Sequence, residues 1–153
     1  MAAALIALAS CGGGGTSLGS LKANPANAIP GPPGAMQNNE ISQAGGRGGG
    51  HQSYGPTIQR SYTVTALPAD VAAWYDTRLR DLGWQPGGYV ATGIPDNSGV
   101  SGTGGRQYTH GKLLFDVTGF MCIDLAKQAV VPPPGCNSGK AHQLTYETFL
   151  SAP

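Results

Sequence analysis

The chain has 153 residues, the length of one ordinary domain with a tail. Its formal net charge is +1 and only 11% of its residues are charged, so it lacks the clustered Lys and Arg that phosphate binding requires, and no nucleic-acid partner is expected. No apolar run reaches the roughly 18 residues of a spanning helix, which argues against an integral membrane protein.

The first ten residues, MAAALIALAS, form a short apolar run that is followed by Cys11 and four glycines. Leu8-Ala9-Ser10-Cys11 resembles the lipobox of bacterial lipoproteins, in which the cysteine is acylated and becomes the first residue after cleavage. The resemblance implies that residues 1–10 are a signal peptide and that Cys11 carries the lipid, for example palmitate. The protein would then sit on the cell membrane or outer membrane, facing the periplasm or the exterior.

Residues 11–56 are dominated by glycine and proline, with runs such as GGGG, NPANAIPGPPGAM and GGRGGGHQSYGP. Their apolar residues follow neither the helical nor the strand period, so we expect a disordered tether that buries little surface. A flexible chain of about 45 residues has a root-mean-square span of roughly 35–40 Å. The folded part, residues 57–153, is therefore expected to stand well clear of the membrane.

A strand, a helix and a second strand open the predicted domain. Ile58 to Ala66 alternates and is rich in Thr, Tyr and Val, which indicates a half-buried strand. Pro68 suits the first helical position and Gly83 suits the left-handed residue that ends the helix. One apolar helical stripe contains Val71, Trp74, Tyr75, Leu79 and Leu82.

Four more segments are predicted to be strands: Gln85–Thr92, Arg106–His110, Lys112–Leu125 and Ala141–Leu150. Gly111 supplies the turn between the second and third of these. Strict alternation in the third predicts a core face of Leu113, Phe115, Val117, Met121 and Ile123. The element order β-α-β-β-β-β predicts an α+β fold, with one amphipathic helix packed on a small antiparallel sheet.

With Cys11 assigned to the lipid, Cys122 and Cys136 remain as a pair. Export favours a disulfide between them, which would close a loop of about 15 residues and contribute roughly 3 kcal/mol. Two free thiols are the alternative and would fit a reducing cytosol. No Cys-x-x-Cys spacing or neighbouring His run is present, so neither a metal site nor a cofactor is predicted.

No pattern for catalysis is found, and we predict that the protein is not an enzyme. His110 falls in a predicted turn, and no nucleophile-elbow motif is present. The segment from Trp74 and Tyr75 to Leu82-Gly83-Trp84 resembles small uncharacterised bacterial envelope lipoproteins. That resemblance implies fold and location but no activity.

Three hypotheses for the function follow. The first is a lipid-anchored, non-enzymatic interaction or assembly module, whose exposed strand edges accept an envelope protein partner. The second is a small-molecule binding module, with a pocket formed by Trp74 or Trp84 and the loop Gly93–Gly105. The third is a cytosolic protein with an ordinary Ala-rich N-terminus.

Overall fold

A computed structural model describes residues 16–47, 53–92, 103–126, 129–131 and 142–153. Its helices are α1 (Leu18–Lys22) and α2 (Pro68–Asp81), with one 3₁₀ turn at Pro25–Ala28. Its strands are β1 (Met36–Gln43), β2 (Gly46–Arg47), β3 (Ser53–Tyr54), β4 (Thr57–Val64), β5 (Gln85–Thr92), β6 (Thr103–His110), β7 (Leu113–Asp124), β8 (Ala129–Val131) and β9 (His142–Ser151).

The strands form a largely antiparallel sheet in the order β1-β4-β9-β7-β6-β5, with β8 paired to β7. The predicted α+β class is confirmed, and the predicted helix and five strands occur within a few residues of their expected bounds. The strand β1 precedes them and was not predicted. Because β9 lies between β4 and β7, the pairing that closes the sheet joins segments far apart in sequence.

The residues at the two ends of α2 determine where the helix begins and where it ends. Pro68 occupies its first turn, where a missing N–H is harmless, and Asp70 lies near the positive end of the helix dipole. Gly83 has φ of 81°. The amides of Gly83 and Trp84 donate to the carbonyls of Arg80 and Leu79 at 2.8 and 2.9 Å, the Schellman arrangement.

The face that α2 buries is narrower than the predicted stripe. Val71, Tyr75 and Leu79 are fully buried, whereas Trp74 is only partly buried and Leu82 is 38% exposed. The sheet meets this face with large aromatic and aliphatic side chains. They are Ile58, Tyr62 and Val64 on β4, Tyr108 on β6, Phe115, Val117 and Phe120 on β7, and Leu144, Tyr146 and Leu150 on β9.

The predicted core face of β7 is partly wrong, because the strand contains a bulge. Thr118 pairs with Glu147, but Met121 pairs with Thr145, so β7 contains one extra residue, and Gly119 has φ of 70°. Because a bulge shifts the alternation by one, Phe120 is buried, as is Cys122, while Met121 is exposed. Leu113 and Ile123 are only partly buried.

The tether predicted over residues 11–56 is wrong for the parts of it that the structure describes. Leu21 and Ala26 are fully buried, and β1 pairs with β4 along its whole length. Ser17 caps α1 by accepting a hydrogen bond from the amide of Ser20 at 3.1 Å. One short helix and a 3₁₀ turn bury apolar side chains without a sustained period, so periodicity could not reveal them.

We expect Gly119→Ala to destabilise the domain by about 1–2 kcal/mol, because an L residue disfavours the left-handed backbone of the bulge. A methyl group at Gly119 would lie 3.7 Å from the nearest side-chain atom of Glu147, which is ordinary contact. The loss of stability would therefore come from backbone strain and not from a steric clash. Urea unfolding measures it.

The matched control is Gly19→Ala in α1. There the added methyl has ordinary contact with the Ser17 hydroxyl at 3.7 Å, and the helical backbone favours alanine. No loss of stability is expected. Equal free energies of unfolding for Gly119→Ala and the wild type would contradict the role of the bulge.

Candidate functional site

The two edges of the sheet differ in how they are protected. At the β5 edge, Pro86 lacks an N–H, the register with β6 is irregular between Pro86 and Tyr89, and Gly87 lies close to the backbone of Gln107. Prolines and irregular pairing are ordinary devices that stop edge strands from pairing with other chains. The β1 edge has one register shift, between Gln37 and Asn39, and contains neither proline nor lysine.

Strand β1 is exposed at all eight of its positions. Met36 is 64% exposed and Ile41 is 51% exposed. Both pair with β4 residues, Thr63 and Gln59, that lie on the face of the sheet opposite α2. An exposed edge strand presents unpaired backbone N–H and C=O groups to one side, so β1 is a template for one further strand.

The single charge of β1 is neutralised internally. The Nε of Arg60 donates to Glu40 at 2.8 Å, and the pKa of Glu40 is lowered because of that hydrogen bond. The same guanidinium donates to the carbonyl oxygen of Asn27 at 2.6 Å and to its side-chain oxygen at 2.8 Å. Glu40 therefore ties β1 to the loop after α1, and it is not a free charge that repels an incoming strand.

A cleft of about 360 Å³ opens beside this edge. Its walls are Asn27–Gly31 and Ala35 from the segment after α1, Gln37 from β1, and Arg60 and Tyr62 from β4. Gly31 packs so closely on Tyr62 that an added Cβ would lie 3.1 Å from the ring. The cleft includes Gln37 of β1 and lies on the α2 side of the sheet.

The structure brings the two tryptophans to different environments. Trp84 is 2% exposed and packs against Phe115 and His110, with ring centroids 6.1 and 5.5 Å away. Trp74 donates from Nε1 to the carbonyl of Pro30 at 3.2 Å, and Arg78 lies 3.0 Å from its ring centroid. The cleft beside β1 contains neither tryptophan in its lining.

The predicted cysteine sites lie mostly beyond the described ranges. Cys122 is buried and disulfide-bonded, whereas Cys136 and Cys11 fall outside the described residues, as does most of the loop Gly93–Gly105. Within the described part of the chain, no three His, Cys, Asp or Glu side chains are grouped to hold a metal ion. No helix in those ranges is long and apolar enough to cross a membrane.

Buried tyrosines dominate the interior near the site. Tyr62 and Tyr146 stack with centroids 5.1 Å apart, and the hydroxyls of Tyr75 and Tyr146 are 3.2 Å apart. Burial raises the pKa of all three phenols, because ionisation would place a charge in the core. They are therefore neutral hydrogen-bonding groups at physiological pH.

A fourth buried phenol, Tyr108, lies under the other side of α2. Its hydroxyl is 3.5 Å from the carbonyl of Ala72. Burial, and then the charge of Asp76, raises the pKa of Tyr108 to about 12. Asp76 in turn forms ion pairs with Arg80 at 3.0 Å and Arg106 at 3.7 Å.

Comparison of the chain with protein-family models, curated proteins and solved structures finds no match.

Strand β1 is the part of the candidate site that the sequence patterns did not predict. Its sequence, MQNNEISQ, has low strand propensity and no alternating core face. The available signal was indirect. Gly45-Gly46 and Gly55-Pro56 bracket a glycine-rich turn between two segments of equal length, which is the pattern of a long hairpin with β4.

We expect the free energy of unfolding to fall as the pH rises above about 10, because phenols ionise there in the unfolded chain but stay neutral in the fold. Tyr108 contributes at most about 1.4 kcal/mol per pH unit until its pKa of about 12 is reached. Tyr108→Phe should therefore unfold with a shallower alkaline pH dependence. Urea titrations at pH 8, 10 and 11 test this, and an unchanged slope in the variant would contradict it.

Proposed function

We propose that this protein is a lipid-anchored, non-enzymatic interaction module of the cell envelope. Its α+β domain would bind an extended segment of an envelope protein partner as a further strand beside β1. The observation that carries the proposal is the exposure of all eight positions of β1, at an edge with neither proline nor an unpaired charge.

Strand addition would satisfy the backbone groups of β1 that point away from β4, and this main-chain pairing supplies affinity in such complexes. Specificity would come from alternate side chains. On one face, apolar residues of the added strand would cover Met36 and Ile41. On the other, side chains would enter the cleft walled by Gln37, Arg60 and the loop Asn27–Gly31.

Contacts with the neighbouring strand keep β1 extended before a partner binds. Arg60 fixes Glu40 on one side of β1, and the amide of Asn38 donates to the hydroxyl of Thr63 at 2.7 Å. Because both contacts anchor β1 to the neighbouring strand, the added segment would meet an edge that is already extended. The ordering cost of binding would then fall mainly on the partner.

Ile41→Lys should abolish partner binding while leaving the fold intact. A lysine at an exposed edge opposes strand addition, because pairing would desolvate its charge. Ile41 is half exposed, so the change in unfolding free energy should stay within about 0.5 kcal/mol. A photo-crosslinking residue at Gln43 should capture a partner in living cells, and Ile41→Lys should reduce that product at least about tenfold.

Leu125→Lys is the matched control, because Leu125 is 49% exposed and lies in the turn after β7, away from the edge. It makes the same chemical change as Ile41→Lys and should leave the crosslink unchanged. Equal effects of the two lysines would refute strand addition at β1. A crosslinked product with the mass of two copies of this chain would show self-association in place of a different partner.

The anchor is tested separately by metabolic labelling with a radioactive or alkyne-bearing fatty acid. The wild type should incorporate the label and Cys11→Ala should not, because only the residue 11 sulfur is proposed to be acylated. Cys122→Ala is a control for nonspecific thiol acylation and should keep the label. Equal labelling of the wild type and Cys11→Ala would refute the lipid anchor.

A further inference from the structure

The chain enters and leaves the domain at the same end. A second cleft, of about 400 Å³, is lined there by Thr16–Leu18, by Ala44 and Gly45, by Tyr54–Pro56 and by Pro153. We refer to these residues, together with Arg47, as the anchored end. The opposite end of the sheet is marked by Met36 of β1, which pairs with Thr63 at the far end of β4.

This end is fixed to the core. Gly55 lies so close to the residue after β9 that an added Cβ would collide with the carbonyl group of Ala152. The amide of Ala152 donates to the carbonyl of Pro56 at 3.2 Å. On the other wall, Leu21 is fully buried in the core, so α1 cannot swing away.

The spacer to the proposed lipid is consequently short. Only residues 12–15 separate Cys11 from Thr16, the first residue that the structure describes. Five peptide steps span at most about 18 Å, even when fully extended. From Gln43 to Met36, β1 alone spans about 23 Å at the strand rise. An anchor at Cys11 therefore cannot reach far enough to let the far end of the domain face the membrane.

We infer that the anchored end rests against the lipid headgroups, with β1 running away from the bilayer. This inference rests on the proposed lipidation of Cys11. Its occupant is a headgroup surface, and the side chains suit one. Tyr54 is 47% exposed, and aromatic rings with a polar tip favour the membrane interface. Arg47 is also exposed at this end, and a basic side chain near a membrane surface is attracted to anionic headgroups.

The position of Tyr54 is well defined within this surface. Tyr54 pairs with Gly46 in the small β2–β3 ribbon, and a Cβ on Gly46 would lie 3.0 Å from the Tyr54 hydroxyl. The ring therefore lies over a glycine that leaves room for it, beside the cleft that Thr16 also lines. A reporter at position 54 would sample the contact with lipid directly.

The test uses the full-length lipidated chain in vesicles of phosphatidylethanolamine and phosphatidylglycerol that carry a nitroxide on the headgroup. Tyr54→Trp places a fluorescent reporter at the anchored end, and Met36→Trp is the control at the far end, where the side chain is exposed. The signal of Trp74 and Trp84 is measured in the unsubstituted protein and subtracted. Headgroup quenching should be at least about twofold stronger for Tyr54→Trp, because the spacer limits the reach of the other end.

Insertion of a Gly/Ser spacer of about 40 residues between Gly15 and Thr16 should remove the difference, since its root-mean-square span is roughly 35 Å. Equal quenching of the two reporters in protein that floats with the vesicles would overturn the inference and leave the lipid anchor standing. Protein that fails to float with the vesicles would overturn the anchor, and the inference with it.

Discussion

The packing of Tyr62 joins the segment after α1 to the central strands of the described sheet. Its ring stacks on Tyr146 of the central strand, and Tyr146 shares a hydroxyl contact with Tyr75 of α2. On its other side, Gly31 packs against the same ring, in the segment that follows α1. The N-terminal segment, two strands and the main helix therefore meet through the stacked pair of Tyr62 and Tyr146. Aromatic groups supply much of the buried area in a small core, and here they also set the arrangement of its parts.

The proposed interaction edge depends on this arrangement. Because the segment after α1 is fixed over Tyr62, Asn27 is placed to hold Arg60, and Arg60 is placed to hold Glu40. The carboxylate of Glu40 could otherwise oppose the pairing of another strand at this edge. It is instead paired with Arg60 of the same domain. The same packing forms the cleft beside β1. The pairing of Glu40 and the cleft beside β1 thus have one structural cause.

Most of the fold could be predicted from the sequence, and the exceptions have physical reasons. Helix α2 and the later strands were found because Pro68, Gly83 and Gly111 mark their ends and because their apolar residues recur with a clear period. The predicted core face of β7 is wrong beyond Gly119. A glycine in a strand sequence does not indicate whether the alternation of buried and exposed side chains shifts at that point.

The N-terminal segment and β1 were missed for a related reason. Leu21 and Ala26 are buried by tertiary packing alone, and a composition rich in glycine and proline resembles that of a disordered tether. Strand β1 is a strand only because β4 pairs with it. The candidate site could not be anticipated, since its residues acquire their role from pairing and not from chemical type. Core packing is the interpretation that the sequence favours for the two tryptophans over a binding platform, and Trp84 does contribute to the core.

The position of β9 has a consequence for how the chain acquires its structure in the cell. It is the last of the described strands in chain order, yet it lies between β4 and β7 and pairs with both. During synthesis, the earlier strands have no central neighbour until residues 142–151 have left the ribosome. The sheet can therefore close only after residues 142–151 have been made, and such long-range closure is slow. If the chain is exported as proposed, this late closure would keep it unfolded while it crosses the membrane.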